Sequence, residues 1–300
     1  MRRNYHYLLI VLLALASCSE AINIDPGVQP VGSFVVDGMI TDQFCHQAVR
    51  LSMTENFYSP LSEVPWISGA TVSVTCGDEI FVYEEDASSP GTYRSVMAFK
   101  GETGKSYRLD VDAVIDGVAA HFRAEDTVPS PGGQLDALDY CYSADMDNLW
   151  TLAIWGRDYI DSRSRYLIQV GVNGHFKPLD KSVELPDDHF DGMIFSGFTL
   201  SALHHTEALW NIYGDSFKPL QRGDIITLRA YTLSGGYGEF LMKYSHFIFG
   251  TVPILTDQPG NLITNVTGTA PVIGYFGACA ILEASCTVDD PYRTEFPEHS

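Results

Sequence analysis

Turn residues recur about every ten positions along the first half of this chain, with short alternating runs between them. The runs 48–53, 70–75 and 105–112 place apolar residues at every second position, as a half-buried strand requires. The runs 33–40, 80–83 and 118–123 are also rich in strand-forming residues. Gly77-Asp78 and Asp116-Gly117 have the composition of hairpin turns. About seven strands in about 100 residues are typical of an immunoglobulin-like (Ig-like) β-sandwich.

The second half also favours strands, at 149–155, 166–172, 225–232 and 270–280. One helix is predicted within 238–249, where Phe240, Leu241 and Tyr244 follow helical spacing. The densest group of turn residues is Thr127 to Gly133, which indicates a domain boundary. We therefore predict an all-β protein with one minor helix, in which a β-sandwich domain over 33–128 precedes a β-rich domain over 134–300.

Composition limits the classes of function. The chain has 300 residues, of which 45% are hydrophobic and 19% charged, so it has enough apolar material for a core. Its 18 Lys and Arg against 38 Asp and Glu leave a net charge of −20. A surface this acidic repels phosphate groups, which disfavours nucleic acid as a partner.

The N-terminus has the pattern of a bacterial lipoprotein signal peptide. Arg2 and Arg3 precede an uncharged apolar run, which ends in Leu15-Ala16-Ser17-Cys18. We predict a signal peptide over 1–17, lipidation of Cys18 and a lipidated tether over 18–32. The alternative is an ordinary secretory signal with a cysteine at its cleavage site. Two or three acyl chains would anchor the protein stably in lipid.

Residue Ser19 follows the predicted lipidation site, where enteric bacteria place Asp to retain a lipoprotein in the inner membrane. We therefore expect the lipidated protein to reside in the outer membrane, on either its periplasmic or its cell-surface face. Removal of Arg2 and Arg3 with the signal peptide would make the mature charge −22, that is 16 − 38.

Five cysteines remain after Cys18, and an odd number in an oxidising compartment allows two disulfides. Cys279 and Cys286 are close in sequence, and Cys45 and Cys76 both fall in the first predicted domain. These four are the disulfide candidates. Cys141 would then be a free thiol. One alternative is a disulfide between Cys141 and Cys279, and a second is that all five thiols are reduced.

Several short segments follow the lipidation motif in an order that is typical of a known protein family. They are Phe34-Val35-Val36-Asp37-Gly38-Met39-Ile40-Thr41-Asp42, Pro90-Gly91-Thr92-Tyr93, Gly104-Lys105-Ser106-Tyr107-Arg108-Leu109, Gly223-Asp224-Ile225-Ile226-Thr227-Leu228 and Ile273-Gly274-Tyr275-Phe276-Gly277-Ala278. In order and spacing the chain resembles the Bacteroidota lipoprotein family of domain of unknown function 4249. The resemblance implies a prealbumin-like first domain, an outer-membrane location and association with TonB-dependent receptors. It assigns no catalytic residue.

Motifs for chemistry are sparse in this sequence. We found no nucleophile elbow, phosphate-binding loop or His-Glu-x-x-His zinc motif, so no catalytic residue, cofactor or metal ligand is predicted. His204-His205 and the acidic groups around 139–147 and 180–191 contain residue types that can bind metal ions, but solvated polar loops are the favoured interpretation. Trp66, between prolines, is a candidate contact for a ligand or partner. Thr127, in Asp126-Thr127-Val128, is a candidate for O-glycosylation.

These observations favour a non-enzymatic outer-membrane lipoprotein, an accessory or ligand-binding component of a TonB-dependent transport system. Its expected partners are membrane lipid, through the acyl chains, and a TonB-dependent receptor. The alternatives are a surface hydrolase that acts on glycans or peptides, and a structural or adhesive surface protein.

Overall fold

The structure is a computed structural model, which describes residues 32–54, 64–115, 117–143, 149–160, 164–176, 183–185, 191–204, 219–249 and 263–297. Strands dominate this part of the chain. In the first half they are β1 (Phe34–Thr41), β2 (Ala48–Met53), β3 (Thr71–Cys76), β4 (Glu79–Glu85), β5 (Thr92–Ser95), β6 (Ser106–Ile115) and β7 (Val118–Thr127). The signal peptide, Cys18 and all of the tether except Gly32 lie outside the described residues.

The second half adds nine strands and one helix within the described ranges. They are β8 (Gly133–Ser143), β9 (Leu149–Asp158), β10 (Arg165–Val172), β11 (His175–Phe176), β12 (Val183–Leu185), β13 (Ile194–His204), β14 (Ile225–Leu233), α1 (Gly235–Phe249), β15 (Thr267–Gly268) and β16 (Val272–Thr287). The predicted class, all-β with one minor helix, is confirmed. The predicted helix also forms, beginning three residues earlier than its apolar spacing indicates.

The strands form one large mixed sheet and one small sheet. The large sheet has the order β11-β10-β14-β16-β1-β2-β5-β4-β3-β6-β7-β15, with β12 paired to β10, and the small sheet has the order β13-β9-β8. Alternation in the sequence matches the observed burial, since Tyr107, Leu109 and Val111 of β6 all point into the core.

The first seven strands fold into a sandwich-like layer pair around one hydrophobic cluster. Phe34 of β1 and Phe122 of β7 are not on neighbouring strands, yet their rings stack face to face with centroids 4.1 Å apart. The large sheet therefore curls until its distant strands pack against each other. A second cluster fills the space between the small sheet and the large one, with Trp150 and Leu152 of β9 facing Ile226 and Leu228 of β14.

Strand β16 connects the two halves of the chain. Its first part pairs in parallel with β1, from Phe34↔Val272 to Thr41↔Cys279. Its remaining part pairs antiparallel with β14. Because β16 contributes side chains to both clusters, the segments predicted as 33–128 and 134–300 share one sheet.

The predicted boundary segment is itself packed. The Val128 side chain is fully buried, and its backbone N–H donates to the Lys105 carbonyl at 3.1 Å. The backbone N–H of Gly132 donates to the Thr232 hydroxyl at 3.1 Å. The described residues from Gly32 onward accordingly form one compact unit.

Helix α1 begins with a serine cap and packs on β16. The Ser234 hydroxyl accepts a hydrogen bond from the Tyr237 backbone N–H at 3.3 Å, which satisfies one of the free donors of the first turn. Tyr237 is buried and stacks on Tyr275 of β16 with centroids 5.4 Å apart. In the described ranges no helix is both long and apolar enough to span a bilayer.

The cysteine pairings need correction. Cys45, Cys76, Cys141, Cys279 and Cys286 are all free thiols in the structure. The pairing of Cys279 with Cys286 is wrong, because both lie on the continuous strand β16, where seven residues span roughly 23 Å. A disulfide needs Cα atoms within about 7 Å of each other. Cys45, which is exposed, and Cys76, which is buried, are likewise unpaired thiols.

Candidate functional site: an apolar cleft between the sheets

A narrow cleft opens between the small sheet and the large sheet. The space inside it and in front of its mouth, open solvent included, is about 390 Å³. Strands β8, β9 and β13 supply one wall and β10, β14 and β16 the other, and the main apolar side chains are Leu135, Ile154, Ile168, Phe195, Phe198 and Leu282. An apolar lining of this kind binds through contact area and excludes water.

Two β-bulges shape the cleft wall. Phe195 and Phe198 would face opposite sides of a regular strand, because they are an odd number of positions apart. The register shift between Ser196 and Phe198 at Gly197 restores both rings to the same face, with centroids 5.7 Å apart. Gly197 has φ of +74°, which a residue with a side chain rarely adopts.

Strand β8 carries the second bulge, between Leu135 and Ala137. Here the backbones of β8 and β9 approach very closely. A Cβ atom built on Gly133 would lie 2.4 Å from the Arg157 carbonyl oxygen, so only glycine fits there. The bulge directs Leu135 to the same side as the buried Leu138, toward the cleft and the second cluster.

One cation, Arg157, lines the cleft, and two strongly exposed isoleucines lie on or next to the strands of the small sheet. Ile194, which pairs with Arg157 across β9 and β13, is 78% exposed, and Ile160 is 77% exposed. The Arg157 guanidinium donates to the Gln134 side-chain oxygen at 3.0 Å. At the buried end, the Tyr166 hydroxyl donates to the Asp158 carboxylate. Polar groups around the cleft are thus bonded to each other, which leaves its interior to apolar contact.

Trp66, the predicted contact residue, lies away from this cleft on the first half of the chain. It forms an isolated bridge with Ser52 and is 43% exposed. Its inner side packs on Gly91, where an added Cβ atom would lie 2.9 Å from the Trp66 Cβ atom. A role for its outer side in contacting a ligand or partner stays a prediction.

Thr127 ends β7 and is exposed, and its hydroxyl forms a 2.7 Å hydrogen bond with the Ser106 hydroxyl. The preceding Asp126 has a structural role. Its carboxylate accepts hydrogen bonds from the Ser234 hydroxyl at 2.5 Å and from the Ala278 backbone N–H at 2.8 Å. Asp126 therefore ties β7 to β16 and to the start of α1, while O-glycosylation of Thr127 stays a prediction.

We expect Asp126 to make the stability of the protein decrease as pH rises above about 4. Burial raises the pKa of this carboxyl, and hydrogen bonds from Ser234, Thr127 and Ala278 oppose that increase only in part. A raised pKa means that the folded protein binds the proton more tightly, so this contribution is present at low pH and is lost as pH passes the folded-state pKa.

Urea unfolding of the native protein and of Asp126→Asn between pH 4 and pH 7 measures this effect. The free energy of unfolding of the native protein should fall relative to that of the variant as pH rises through this range. The two proteins are compared by the slope of the free energy of unfolding against pH, because the asparagine also changes the hydrogen bonds at every pH. Parallel pH profiles would contradict the expectation.

The other metal candidates that the structure describes are not brought together. Asp139 is buried and forms an ion pair with Arg293. Of the other metal candidates, Asp145, Asp147, His205, Glu207 and the acidic residues at 180 and 187–188 lie outside the described residues. Among the residues that are described, no group of three or more His, Cys, Asp or Glu is arranged to hold a metal ion.

Reasoning from the sequence missed the cleft residues. Six strands supply them, and their separation along the chain hides their proximity. One local signal was present in Phe195-Ser196-Gly197-Phe198, because a glycine inside a strand pattern indicates a bulge.

Comparisons with known proteins agree with the sequence resemblance. A search of curated proteins found no match. The family model described as Domain of unknown function (DUF4249) matches residues 20–285, which is most of the chain and includes every residue that lines the cleft. The chain belongs to the DUF4249 family.

Proposed function

We propose that the protein is a non-enzymatic, lipid-anchored protein of the outer membrane that binds an apolar ligand or partner group in support of TonB-dependent transport. The observation that carries the binding role is the apolar cleft between the sheets, with Phe195 and Phe198 on one wall and Leu282 on the other. The lipidation motif at Cys18 supports the anchor. The family resemblance supports the association with a transporter.

The arrangement of the cleft favours binding over chemistry. Its lining presents mainly aliphatic and aromatic groups. The Asp158 carboxylate accepts hydrogen bonds from the hydroxyl of the lining residue Tyr166 and, at 3.2 Å, from the Gly192 backbone N–H. Such a surface gains free energy by removing apolar groups from water, at about 25 cal/mol per Å².

Lipidation is tested with the full-length chain and metabolic labelling by an alkyne-tagged fatty acid. We expect wild type to be labelled and to fractionate with the outer membrane, and Cys18→Ser to lose both properties because it has no thiol for the diacylglycerol. Ser19→Ala serves as the matched control and should remain labelled. Labelling of Cys18→Ser, or an unlabelled wild type, would contradict the anchor.

Association with a transporter is tested by affinity capture of the lipidated protein from native outer membranes in mild detergent. We expect mass spectrometry to find a TonB-dependent transporter in stoichiometric amounts. Recovery of the protein alone would count against the accessory role. Cleavage of glycan or peptide polymers by the purified protein would instead support the hydrolase alternative.

Binding in the cleft is tested with N-phenyl-1-naphthylamine, an uncharged apolar dye that fluoresces when it leaves water. Ala230 is a small buried residue of the lining, so Ala230→Leu fills space that the dye would occupy. We expect at least a tenfold loss of dye affinity. Ala119→Leu, on the exposed side of β7, should bind like wild type. Equal dye binding by wild type and both variants would mean that the dye binds outside the cleft. Melting curves check that the variants are folded.

A further inference from the structure

The start of β1 and the start of β7 lie at the same end of the molecule. Gly32 is the first described residue, and β1 begins two residues later at Phe34. Six successive antiparallel pairings lead from β1 through β2, β5, β4, β3 and β6 to β7, so β7 runs in the same direction as β1. The stacked rings of Phe34 and Phe122 hold the two strands side by side. The hairpin that precedes β7 therefore lies at the end where the described chain begins.

The tip of the hairpin between β6 and β7 is apolar on both of its faces. Further along, the two strands have core residues on one face and ionic residues such as Asp112 on the other. The last two residue pairs, Val114 with Ala119 and Ile115 with Val118, contain no polar side chain. Val114 and Val118 are each 68% exposed. A strand that ends in water usually keeps one face polar, so this change of pattern favours contact with an apolar phase.

The hairpin extends beyond the strands next to it. On one side β3 begins at Thr71, which pairs with Asp112. On the other side the Thr269 backbone N–H donates to the His121 carbonyl at 3.0 Å. Within the described residues, β6 and β7 pair only with each other beyond these two points. Three further residue pairs at about 3.3 Å each put the turn roughly 10 Å past its neighbours.

A second exposed apolar group lies on the other side of β1. β2 ends with Met53 opposite Phe34, and the Met53 backbone N–H donates to the Pro65 carbonyl at 2.9 Å. The residues on either side of that proline, Val64 and Trp66, are each about half exposed. Tryptophan is enriched where lipid meets water, because its ring is apolar and its indole N–H is polar. We call the surface that these residues form with the hairpin tip the entry face: Val64, Trp66, Val114 and Val118.

We propose that the entry face rests on the lipid bilayer, with the valines of the hairpin tip and the ring of Trp66 among the headgroups and the first acyl carbons. The inference rests on the proposed acyl anchor at Cys18. Gly32 follows Cys18 by 14 positions, so at most about 50 Å of chain separates the lipid-bearing residue from the entry face. A tethered surface needs only a weak affinity of its own, because the anchor raises its effective concentration at the bilayer.

Apolar contact, and not charge, holds the entry face on the lipid. The chain carries −20, so anionic lipid would repel it. Asp112, the described acid closest to the tip along the hairpin, is bonded to the His121 ring at 2.9 Å. Asp116 of the turn lies outside the described residues. Because a carboxylate avoids hydrocarbon, the contact stays shallow, at the depth of the headgroups.

Spin labelling tests this contact on the full lipidated chain in vesicles of phosphatidylcholine and phosphatidylethanolamine. A nitroxide is attached to Val118→Cys in a Cys45→Ser background, which removes the exposed thiol. Oxygen concentrates in lipid and a nickel complex stays in water, so their collision rates with the nitroxide report its surroundings. Met97→Cys carries the control label, because Met97 is also exposed but follows β5 at the opposite end of the sandwich. We expect nickel to reach position 118 at least fivefold less than position 97, while oxygen reaches both.

A charged substitution tests whether the apolar side chains hold the entry face on the lipid. With the nitroxide at Val114→Cys, Val118→Glu adds a carboxylate to the same tip, and we expect nickel to reach the label at least threefold more often. Met97→Glu is the matched control and should leave the label as shielded as before. Both substitutions replace exposed side chains, so the fold is retained, and circular dichroism checks this.

Flotation with the vesicles separates a failure of the anchor from a failure of the entry face. A chain that does not float with the vesicles overturns both the acyl anchor and this inference. If the chain floats but nickel reaches position 118 as freely as position 97, the entry face is in water, and the inference fails while the anchor stands. A label at position 118 that is shielded from oxygen as well as from nickel would show that protein covers the tip, which also overturns the inference.

Discussion

Replacing Gly274 by alanine is expected to reduce the free energy of unfolding by more than 4 kcal/mol, enough to leave a large fraction of the protein unfolded at 37 °C. Gly274 lies in β16 with φ of +95°. A Cβ atom at this position would lie 2.0 Å from the Val36 carbonyl oxygen, which is a backbone atom of the paired strand β1. The strands would have to separate, and the pairing that joins the two halves of the chain would be lost.

Gly104→Ala is the matched control for this prediction. Gly104 has a similar φ of +79°, but nothing lies within 4 Å of its added Cβ atom. The Gly104→Ala variant should lose only the free energy needed to hold a residue with a side chain at positive φ, about 1–2 kcal/mol. Urea denaturation followed by circular dichroism measures both variants. Similar losses for the two would show that backbone conformation alone, and not the contact with Val36, sets the effect.

Replacing Trp150 by alanine is expected to cost about 3–5 kcal/mol, the range found for large aromatic side chains in cores. The Trp150 side chain is fully buried in the second cluster. Its indole N–H also donates to the Pro291 carbonyl at 2.7 Å, which attaches the C-terminal segment to β9. The substitution therefore opens a cavity and releases that segment in one step.

Trp155→Ala on the same strand provides the comparison. Trp155 is only half-buried, and its ring lies 6.3 Å from that of Phe296. We expect a loss of about 1–2 kcal/mol, in proportion to the smaller buried area. Thermal melts and protease sensitivity near residue 291 follow both variants. Equal destabilisation would mean that Trp150 contributes no more than a half-buried tryptophan.

Local patterns of the sequence predicted the strands well, because alternation is a property of neighbouring residues. The run around Tyr107 and Leu109 forms β6, and the run from Ile225 forms β14. Alternation does not say which strands pair, however. The parallel pairing of Val36 with Gly274 joins residues more than 200 positions apart, and no local signal could indicate it.

The same limit explains the missed cleft and the wrong cysteine pairing. Phe195 and Phe198 meet only because a bulge changes the register, and their opposite wall comes from residues such as Ala230 and Leu282. Cys279 and Cys286 are neighbours in sequence, but an extended strand moves successive residues apart by about 3.3 Å each. Proximity in sequence would favour a disulfide only if the chain turned between them.

The pairing of β1 with β16 has a consequence for the order of events during synthesis. The chain makes β1 early, but the strand that covers its parallel edge follows only after more than 200 further residues. The first half therefore stays incomplete, with an open strand edge, until nearly the whole chain has been made. If the protein is exported through a narrow channel, as the proposed lipid anchor requires, a late closing strand favours a chain that is still unfolded during passage and becomes stable only on the far side.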